Sequence, residues 1–238
     1  MKKNSGKKKV VAKKSPKAKK ASPAKKVVSV LRAFGKHVHP YGTMKHTDTA
    51  WQTEKLHERM KKWSASDQTL LQKAAAFATE KHEGYQRRSG TPFVIHPIRI
   101  ANILISEWSV NDVSVVAAAL LHDVVEDTPT TIKEVKDVFG NDVGKLVDGM
   151  TMWKGSETYE TYVKRVARGP EALRLIKCAD ALDNLRSWHE NEMDDSFPRW
   201  WRNTEEYILP MAVQTSRTAA LAIQRVLADP WYVKKAGV

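Results

Sequence analysis

One imidazole and three carboxylates follow directly on an apolar stretch of the chain. The run Ala-Ala-Ala-Leu-Leu at 117–121 leads into His122-Asp123, and Glu126-Asp127 follow two residues later. At about 100° per residue, these four side chains fall on one half of a continuous helix. Three carboxylates at the end of a buried helix are costly unless a cation neutralises them. The pattern therefore predicts a divalent metal site.

Two other stretches offer side chains that suit the same site. His96 precedes Pro97 at the predicted start of a helix, and Asp180 and Asn184 share one face of a later helix, with Lys177 three residues before Asp180. A set of histidine and aspartate ligands suits manganese, iron or another divalent ion with positions open to water and phosphate. Taken alone, a residue such as His96 is more often a helix cap or a hydrogen-bonded loop residue, and one such as Asp180 is usually solvated or salt-bridged.

A basic loop lies just before His96 in the sequence. It contains Arg87, Arg88 and Ser89 between Gln86 and Gly90. Two arginines in a polar loop are ordinarily solvated, but beside a phosphohydrolase site they would bind anionic groups.

The elements that must position these residues are predicted to be helices, because apolar residues recur at helical spacing and no alternating strand pattern persists. The fold class is therefore all-α. The predicted helices cover about 66–84, 97–108, 113–125, 130–139, 141–150, 156–167 and 170–189, with one long C-terminal helix over 198–228.

Charge is distributed unevenly along the 238 residues. Residues 1–26 hold twelve lysines and no acid, so +12 of the formal net charge of +13 lies there and +1 remains for residues 27–238. The composition predicts a disordered basic tail over 1–36, a linker or short helical arm over 37–64 and one folded domain over 65–238. The tail could contact nucleic acid non-specifically through residues 1–26, or it could serve only for solubility.

The remaining composition excludes some classes of protein. No apolar run reaches the ~18 residues of a membrane helix. The single cysteine, Cys178, rules out an intramolecular disulfide framework and a multi-cysteine zinc site. It also suits a reducing compartment, so a cytoplasmic protein is expected.

Four ordered segments resemble the HD-domain hydrolases of the RelA/SpoT type and their small hydrolase-only relatives. The similarity runs from about Gln72 to Trp188. The segments are Ala-x-x-x-His-x-x-Tyr-Gln-Arg-Arg-Ser-Gly-Thr-Pro-Phe-x-x-His-Pro (78–97), Ala-Ala-Leu-Leu-His-Asp-Val-Val-Glu-Asp-Thr (118–128), Phe-Gly-x-x-Val-x-x-Leu-Val-Asp-Gly-Met-Thr (139–151) and Ile-Lys-x-Ala-Asp-x-Leu-x-Asn-Leu-Arg (176–186).

The resemblance implies an HD-domain helical bundle that removes the 3′-pyrophosphate from the alarmone (p)ppGpp with Mn²⁺. By position, the metal ligands would be His96, His122, Asp123 and Asp180. The acidic pair that activates the attacking water would be Glu126 and Asp127. The nucleotide contacts would be Arg87, Arg88, Ser89, Lys177 and Asn184.

Three positions depart from the pattern of that family. Ala181 stands where a basic residue is usual, Asp183 where His or Tyr is usual, and Phe93 where Tyr is usual. Losing a cation and adding an acid near the site should weaken the binding of a highly phosphorylated ligand. Two alternatives therefore stay open: the same chemistry on another nucleotide such as NADPH, and a non-catalytic nucleotide-sensing, polyanion-binding protein.

Overall fold

The computed structural model describes residues 44–188 and 196–237. The predicted basic tail, residues 1–36, and the first part of the predicted linker, residues 37–43, lie outside the described residues. The helices are, in chain order, α1 (Met44–Thr47), α2 (Thr49–Met60), α3 (Ala65–Lys81), α4 (Ile95–Asn102), α5 (Val113–Leu121), α6 (Val124–Asp127), α7 (Ile132–Phe139), α8 (Asn141–Met150), α9 (Tyr159–Ala167), α10 (Glu171–Ser187), α11 (Phe197–Asn203), α12 (Leu209–Thr215), α13 (Arg217–Ala228) and α14 (Pro230–Ala236). Two π-helical segments, Ile103–Glu107 and Thr204–Ile208, continue α4 and α11.

The prediction of an all-α fold is confirmed. Over the described ranges no strand forms, and the only pairing of extended chain is an isolated antiparallel bridge between Gln86 and Pro92. In the same ranges, no helix is both long enough and apolar enough to cross a membrane.

Helix α5 lies at the centre of the hydrophobic core. Its residues from Val115 to Leu121 are all buried, since the sequence is apolar on every side of the helix. The Asp112 carboxylate caps its first turn by accepting a hydrogen bond from the Ser114 N–H at 2.8 Å. Helices α3, α4, α8 and α10 pack around α5. The end of α5 is thereby held inside the domain.

Helix α10 is the second element that the site depends on. It contacts α4, α5 and α8, which precede it in the chain, and α12 and α13, which follow it. Apolar side chains such as Ile176, Leu182 and Leu185 anchor it in the core. Between them the same helix also buries charged residues, among them Lys177, Asp180, Asp183 and Arg186.

The prediction of a continuous helix over 113–125 is wrong. Helix α5 ends at Leu121, His122 and Asp123 form a turn, and α6 begins at Val124. The Asp127 N–H donates to the Asp123 carbonyl at 2.9 Å and closes the new turn. The angular positions derived for an unbroken helix therefore do not apply to these residues.

The prediction of one long helix over 198–228 is also wrong. Pro210 lies in the first turn of α12 and has no N–H to donate to a preceding carbonyl, which accounts for the π-helical segment just before it. Ser216 then adopts an extended backbone, and its side chain accepts from the Ala219 N–H and caps α13. The other predicted helices agree with the structure to within about one helical turn.

Candidate metal centre

Two histidines and two aspartates meet at the buried end of α5. One ligand atom from each of His96, His122 and Asp123 lies within 4.8 Å of the other two. The His96 Nε2 atom is 3.2 Å from Asp180 Oδ1 and 3.7 Å from Asp123 Oδ2, and His122 Nε2 is 3.1 Å from Asp123 Oδ1. Three of the four residues predicted as metal ligands therefore lie within reach of one ion, and the fourth, Asp180, adjoins them through His96.

The four residues come from three different parts of the fold. His96 lies in the first turn of α4, Asp180 lies in the middle of α10, and His122 and Asp123 form the turn between α5 and α6. In an unbroken helix, consecutive residues point about 100° apart. In the turn after Leu121, His122 Nε2 and Asp123 Oδ1 nevertheless lie 3.1 Å apart.

The ring orientation of His122 is fixed by the backbone. Its Nδ1 is 2.9 Å from the Ala119 carbonyl oxygen, which can only accept a hydrogen bond, so Nδ1 carries the hydrogen. The buried Nε2 atom has no aligned hydrogen bond, although Asp123 Oδ1 is close. A buried nitrogen without a hydrogen bond, pointing at carboxylate oxygens, fits a ligand of a divalent metal.

Electrostatics indicate that the cluster requires positive charge. Burial alone lowers the pKa of His122, but the neighbouring Asp123 carboxylate outweighs it and raises this pKa to about 9. Burial alone raises the pKa of Asp123, and the charge of the neighbouring His122 lowers it to about 2. In the absence of a metal, a proton on His122 thus supplies the charge that offsets Asp123.

Asp180 connects the cluster to residues predicted to bind the nucleotide. The Lys177 ammonium donates to Asp180 Oδ2 at 2.7 Å, and the Asn184 amide donates to Asp180 Oδ1 at 2.6 Å. The Arg87 guanidinium in turn donates to Asn184 Oδ1 at 2.8 Å. Although burial acts to raise the pKa of Asp180, Lys177 and the histidines hold it well below its usual range. Both carboxylate oxygens of Asp180 are therefore held in position by hydrogen bonds.

A cavity of about 250 Å³ adjoins this chain of hydrogen bonds. Arg87 lies over the ring of Phe93, with 5.7 Å from its guanidinium carbon to the ring centroid, and Arg88 lies 5.6 Å from the ring centroid of Trp188. The residues lining the cavity are Gln86, Arg87, Arg88, Phe93, Asn184, Trp188 and Trp200. Two cations and three aromatic rings give this cavity the chemistry of a site for an anionic, aromatic ligand.

The remaining predicted contact, Ser89, has a different position. Its hydroxyl lies 2.9 Å from the hydroxyl of Thr91 within the loop, and it is not among the residues lining the cavity. Of the three loop residues predicted to bind the nucleotide, Arg87 and Arg88 line the cavity and Ser89 stabilises the loop.

The predicted acid pair lies in α6, immediately after Asp123. The Glu126 Oε2 atom accepts the Met152 N–H at 3.0 Å, and the Lys154 ammonium is 3.3 Å from Asp127 Oδ1. Burial raises the pKa of Glu126, and the charges of Asp123 and Asp127 add to that effect. A carboxylate with a raised pKa is better suited to accept a proton than an unperturbed one. Lys154, which sequence analysis did not identify, stabilises the pair.

Sequence analysis also missed a network behind His96. The fully buried Asp183 carboxylate accepts from Arg99 and lies 2.7 Å from His96 Nδ1. Its charge is therefore compensated by Arg99 within the core. The signal in the sequence was a charged residue, Arg99, three positions after His96 on an otherwise apolar helix.

The fold and the cluster together define a helical domain with a buried site of histidine and aspartate ligands for a divalent metal. Comparison with known proteins agrees with this description. The family model described as HD domain matches residues 74–199, a range that includes all four residues of the cluster. The chain belongs to the HD domain family.

Several known proteins are similar in sequence to this chain. The chain is 37% identical over 151 residues to guanosine-3′,5′-bis(diphosphate) 3′-pyrophosphohydrolase MESH1 of Danio rerio, covering 60% of this chain and 81% of that protein. The human protein of the same name is 39% identical over 145 residues, with 56% of this chain and 81% of that protein covered. A probable GTP pyrophosphokinase of Mycobacterium leprae is 39% identical over 152 residues, which is 60% of this chain and 19% of that protein.

A solved structure shows the same fold. It is described as a metazoan ortholog of SpoT that hydrolyzes ppGpp and plays a role in starvation responses. The two structures superpose with a TM-score of 0.61 at 29% identity, covering 74% of this chain and 97% of that one.

Replacing Asp123 with Asn tests the cluster as a metal site. The substitution keeps the side-chain shape and removes the negative charge, so we expect the dissociation constant for Mn²⁺ to rise by more than the ~10–100-fold typical of losing an outer-shell partner. Isothermal titration calorimetry on metal-stripped protein measures this dissociation constant. Asp137→Asn is the matched control, because Asp137 forms an exposed pair with Lys133 at 2.6 Å. Equal affinity in the two variants would exclude Asp123 as a ligand.

Proposed function

We propose that this chain is a Mn²⁺-dependent phosphohydrolase that removes the 3′-pyrophosphate from (p)ppGpp. The observation that carries the proposal is the convergence of His96, His122, Asp123 and Asp180 beside a cavity with two arginines. The names of the relatives support the substrate, since two of them are guanosine-3′,5′-bis(diphosphate) 3′-pyrophosphohydrolases that match this chain over most of their length.

The charges around the cavity support a nucleotide with several phosphate groups. Arg87, Arg88 and Lys177 are cations within or next to the cavity, and Asn184 offers an amide beside them. Charge-assisted hydrogen bonds from arginine to phosphate oxygens are strong and directional. The rings of Trp188 and Trp200 give the cavity an apolar wall against which a purine base could stack.

Hydrolysis then requires a water molecule to attack phosphorus and the bond to the ribose 3′ oxygen to break. A divalent ion bound at the cluster supplies water activation and neutralisation of phosphate charge. In the proposed reaction Glu126 accepts the proton of the attacking water, since burial raises the pKa of its carboxyl, and the departing ribose 3′ oxygen takes up a proton to become the 3′-hydroxyl of GDP. Lys154 lies beside both Glu126 and Asp127, and Lys177 keeps Asp180 ionised.

A panel of nucleotides tests the proposed substrate. Metal-stripped protein is incubated with added Mn²⁺ and ppGpp, pppGpp, NADPH, GTP or dNTPs, and the products are separated by anion-exchange chromatography. We expect GDP and pyrophosphate from ppGpp, because the site combines a phosphate-binding loop with a metal cluster. Release of phosphate from NADPH alone would favour the alternative substrate that Ala181 and Asp183 left open. No turnover of any nucleotide would favour the non-catalytic nucleotide-sensing protein.

The role of Glu126 is tested by the substitution Glu126→Gln. It removes the proton acceptor and preserves the hydrogen bond from the Met152 N–H, so we expect kcat to fall by about 10²–10⁴-fold. Affinity for Mn²⁺ should change little. Glu134→Gln is the control, since Glu134 pairs with Lys81 on the partly exposed surface of α7. A kcat for Glu126→Gln equal to that of the control would exclude Glu126 as the base.

Two further expectations complete the proposal. A cytoplasmic location fits the single, buried and unmodified Cys178, because free thiols are typical of reducing compartments. Non-specific contact of residues 1–26 with nucleic acid is supported by their twelve lysines alone, and these residues lie outside the described ranges.

A further inference from the structure

A buried ion pair lies directly behind His96, on the side of the ring away from the cluster. Arg99 donates from Nε to Asp183 Oδ1 at 2.8 Å and from Nη2 to Asp183 Oδ2 at 3.0 Å. Asp183 Oδ2 is also 2.7 Å from His96 Nδ1. The side chains of all three residues are at most 2% exposed. Helices α4 and α10 are thus connected through the ring of a predicted metal ligand.

The geometry determines which nitrogen of His96 carries the hydrogen. The Arg99 guanidinium donates to both oxygens of the Asp183 carboxyl, which is therefore ionised. An ionised carboxylate can only accept hydrogen bonds, so His96 Nδ1 must be the donor. In the neutral ring the lone pair then lies on Nε2, which is the atom that faces Asp180 and Asp123.

Arg99 restricts the position of Asp183. The guanidinium also donates to Ser187 Oγ at 2.6 Å and to the His46 carbonyl at 3.0 Å, so it is held from α10 and from α1. The Ser187 hydroxyl donates to the Asp183 carbonyl at 2.7 Å. Both carboxylate oxygens of Asp183 are therefore occupied, and the ring of His96 has one hydrogen-bonding orientation available. A carboxylate behind a histidine ligand orients the ring and strengthens its other nitrogen as a donor to a metal.

We propose that Asp183, held by Arg99, is a positioning residue that fixes His96 with Nε2 towards the metal cluster and so tightens the binding of the divalent ion. The inference rests on the proposed metal-dependent function. It assigns a role to a position where the sequence departs from the family pattern.

The substitution Asp183→Asn tests this role in the full chain. The Asn amide can donate to His96 Nδ1 and stabilise the other tautomer, in which the hydrogen lies on Nε2. We expect the dissociation constant for Mn²⁺, measured by titration calorimetry on metal-stripped protein, to rise by about 10–100-fold. The Mn²⁺ concentration for half-maximal hydrolysis should rise by the same factor, with kcat close to that of the unsubstituted protein at saturating Mn²⁺.

A matched control separates this effect from a general loss of buried charge. Glu107→Gln alters another ion pair of α10, in which Arg186 donates to both Glu107 oxygens at 2.6 and 2.8 Å. Both of these hydrogen bonds lie outside the metal cluster, and we expect the affinity of Glu107→Gln for Mn²⁺ to be unchanged. Circular dichroism of each metal-free variant verifies that the helical fold is intact.

A double variant addresses the case in which Asp183→Asn fails to fold. Removing the carboxylate leaves the charge of Arg99 uncompensated in the core, so Asp183→Asn with Arg99→Met removes both charges together. Weakened Mn²⁺ binding in a folded double variant supports the inference. Mn²⁺ affinity equal to that of the unsubstituted protein, in either folded variant, overturns it. If the unsubstituted protein itself binds no Mn²⁺, the proposed function fails at its first step, which is a distinguishable result.

Discussion

Compensation of buried negative charge is the constraint on which the rest of this structure depends. Three aspartates, Asp123, Asp180 and Asp183, lie inside a helical core where an ionised carboxylate is stable only beside a cation. Lys177 neutralises Asp180, Arg99 neutralises Asp183, and protonated His122 neutralises Asp123. These pairs connect α4, the α5–α6 turn and α10, so the packing of the domain and the geometry of the site are specified by the same contacts.

The three cations differ in a way that bears on function. Lys177 and Arg99 are permanent charges, and both are almost fully buried. The charge on His122 is a proton with a pKa of about 9, and it lies next to the most exposed of the three carboxylates, with 19% of the Asp123 side chain accessible. A divalent ion can replace that proton, whereas it cannot replace the lysine or the arginine. The positive charge beside Asp123 can therefore be supplied by a proton or by a divalent ion, whereas the charges beside Asp180 and Asp183 are always those of Lys177 and Arg99.

The sequence predicted the helices and the four cluster residues because these depend on local patterns. The apolar run before His122 and the i, i+4 spacing of Asp180 and Asn184 are readable without a structure. The turn at His122–Asp123 was not predicted, because Val124 and Val125 continue the apolar helical pattern and conceal the interruption. The pairing of Arg99 with Asp183 was not predicted either, since it joins residues 84 positions apart on two helices. Which buried charges pair over such a distance is decided by the packing of the core. The sequence shows only that each helix carries a charged residue among apolar ones.

The central claim is that His96, His122, Asp123 and Asp180 surround one divalent ion. Anomalous diffraction at the manganese absorption edge, from crystals of the protein grown with Mn²⁺, tests it most directly. The account predicts one strong anomalous peak at bonding distance from His96 Nε2, His122 Nε2 and a carboxylate oxygen of each aspartate, with the Asp183 carboxylate still on His96 Nδ1. A peak at other residues, or no peak in crystals grown with Mn²⁺, would contradict it.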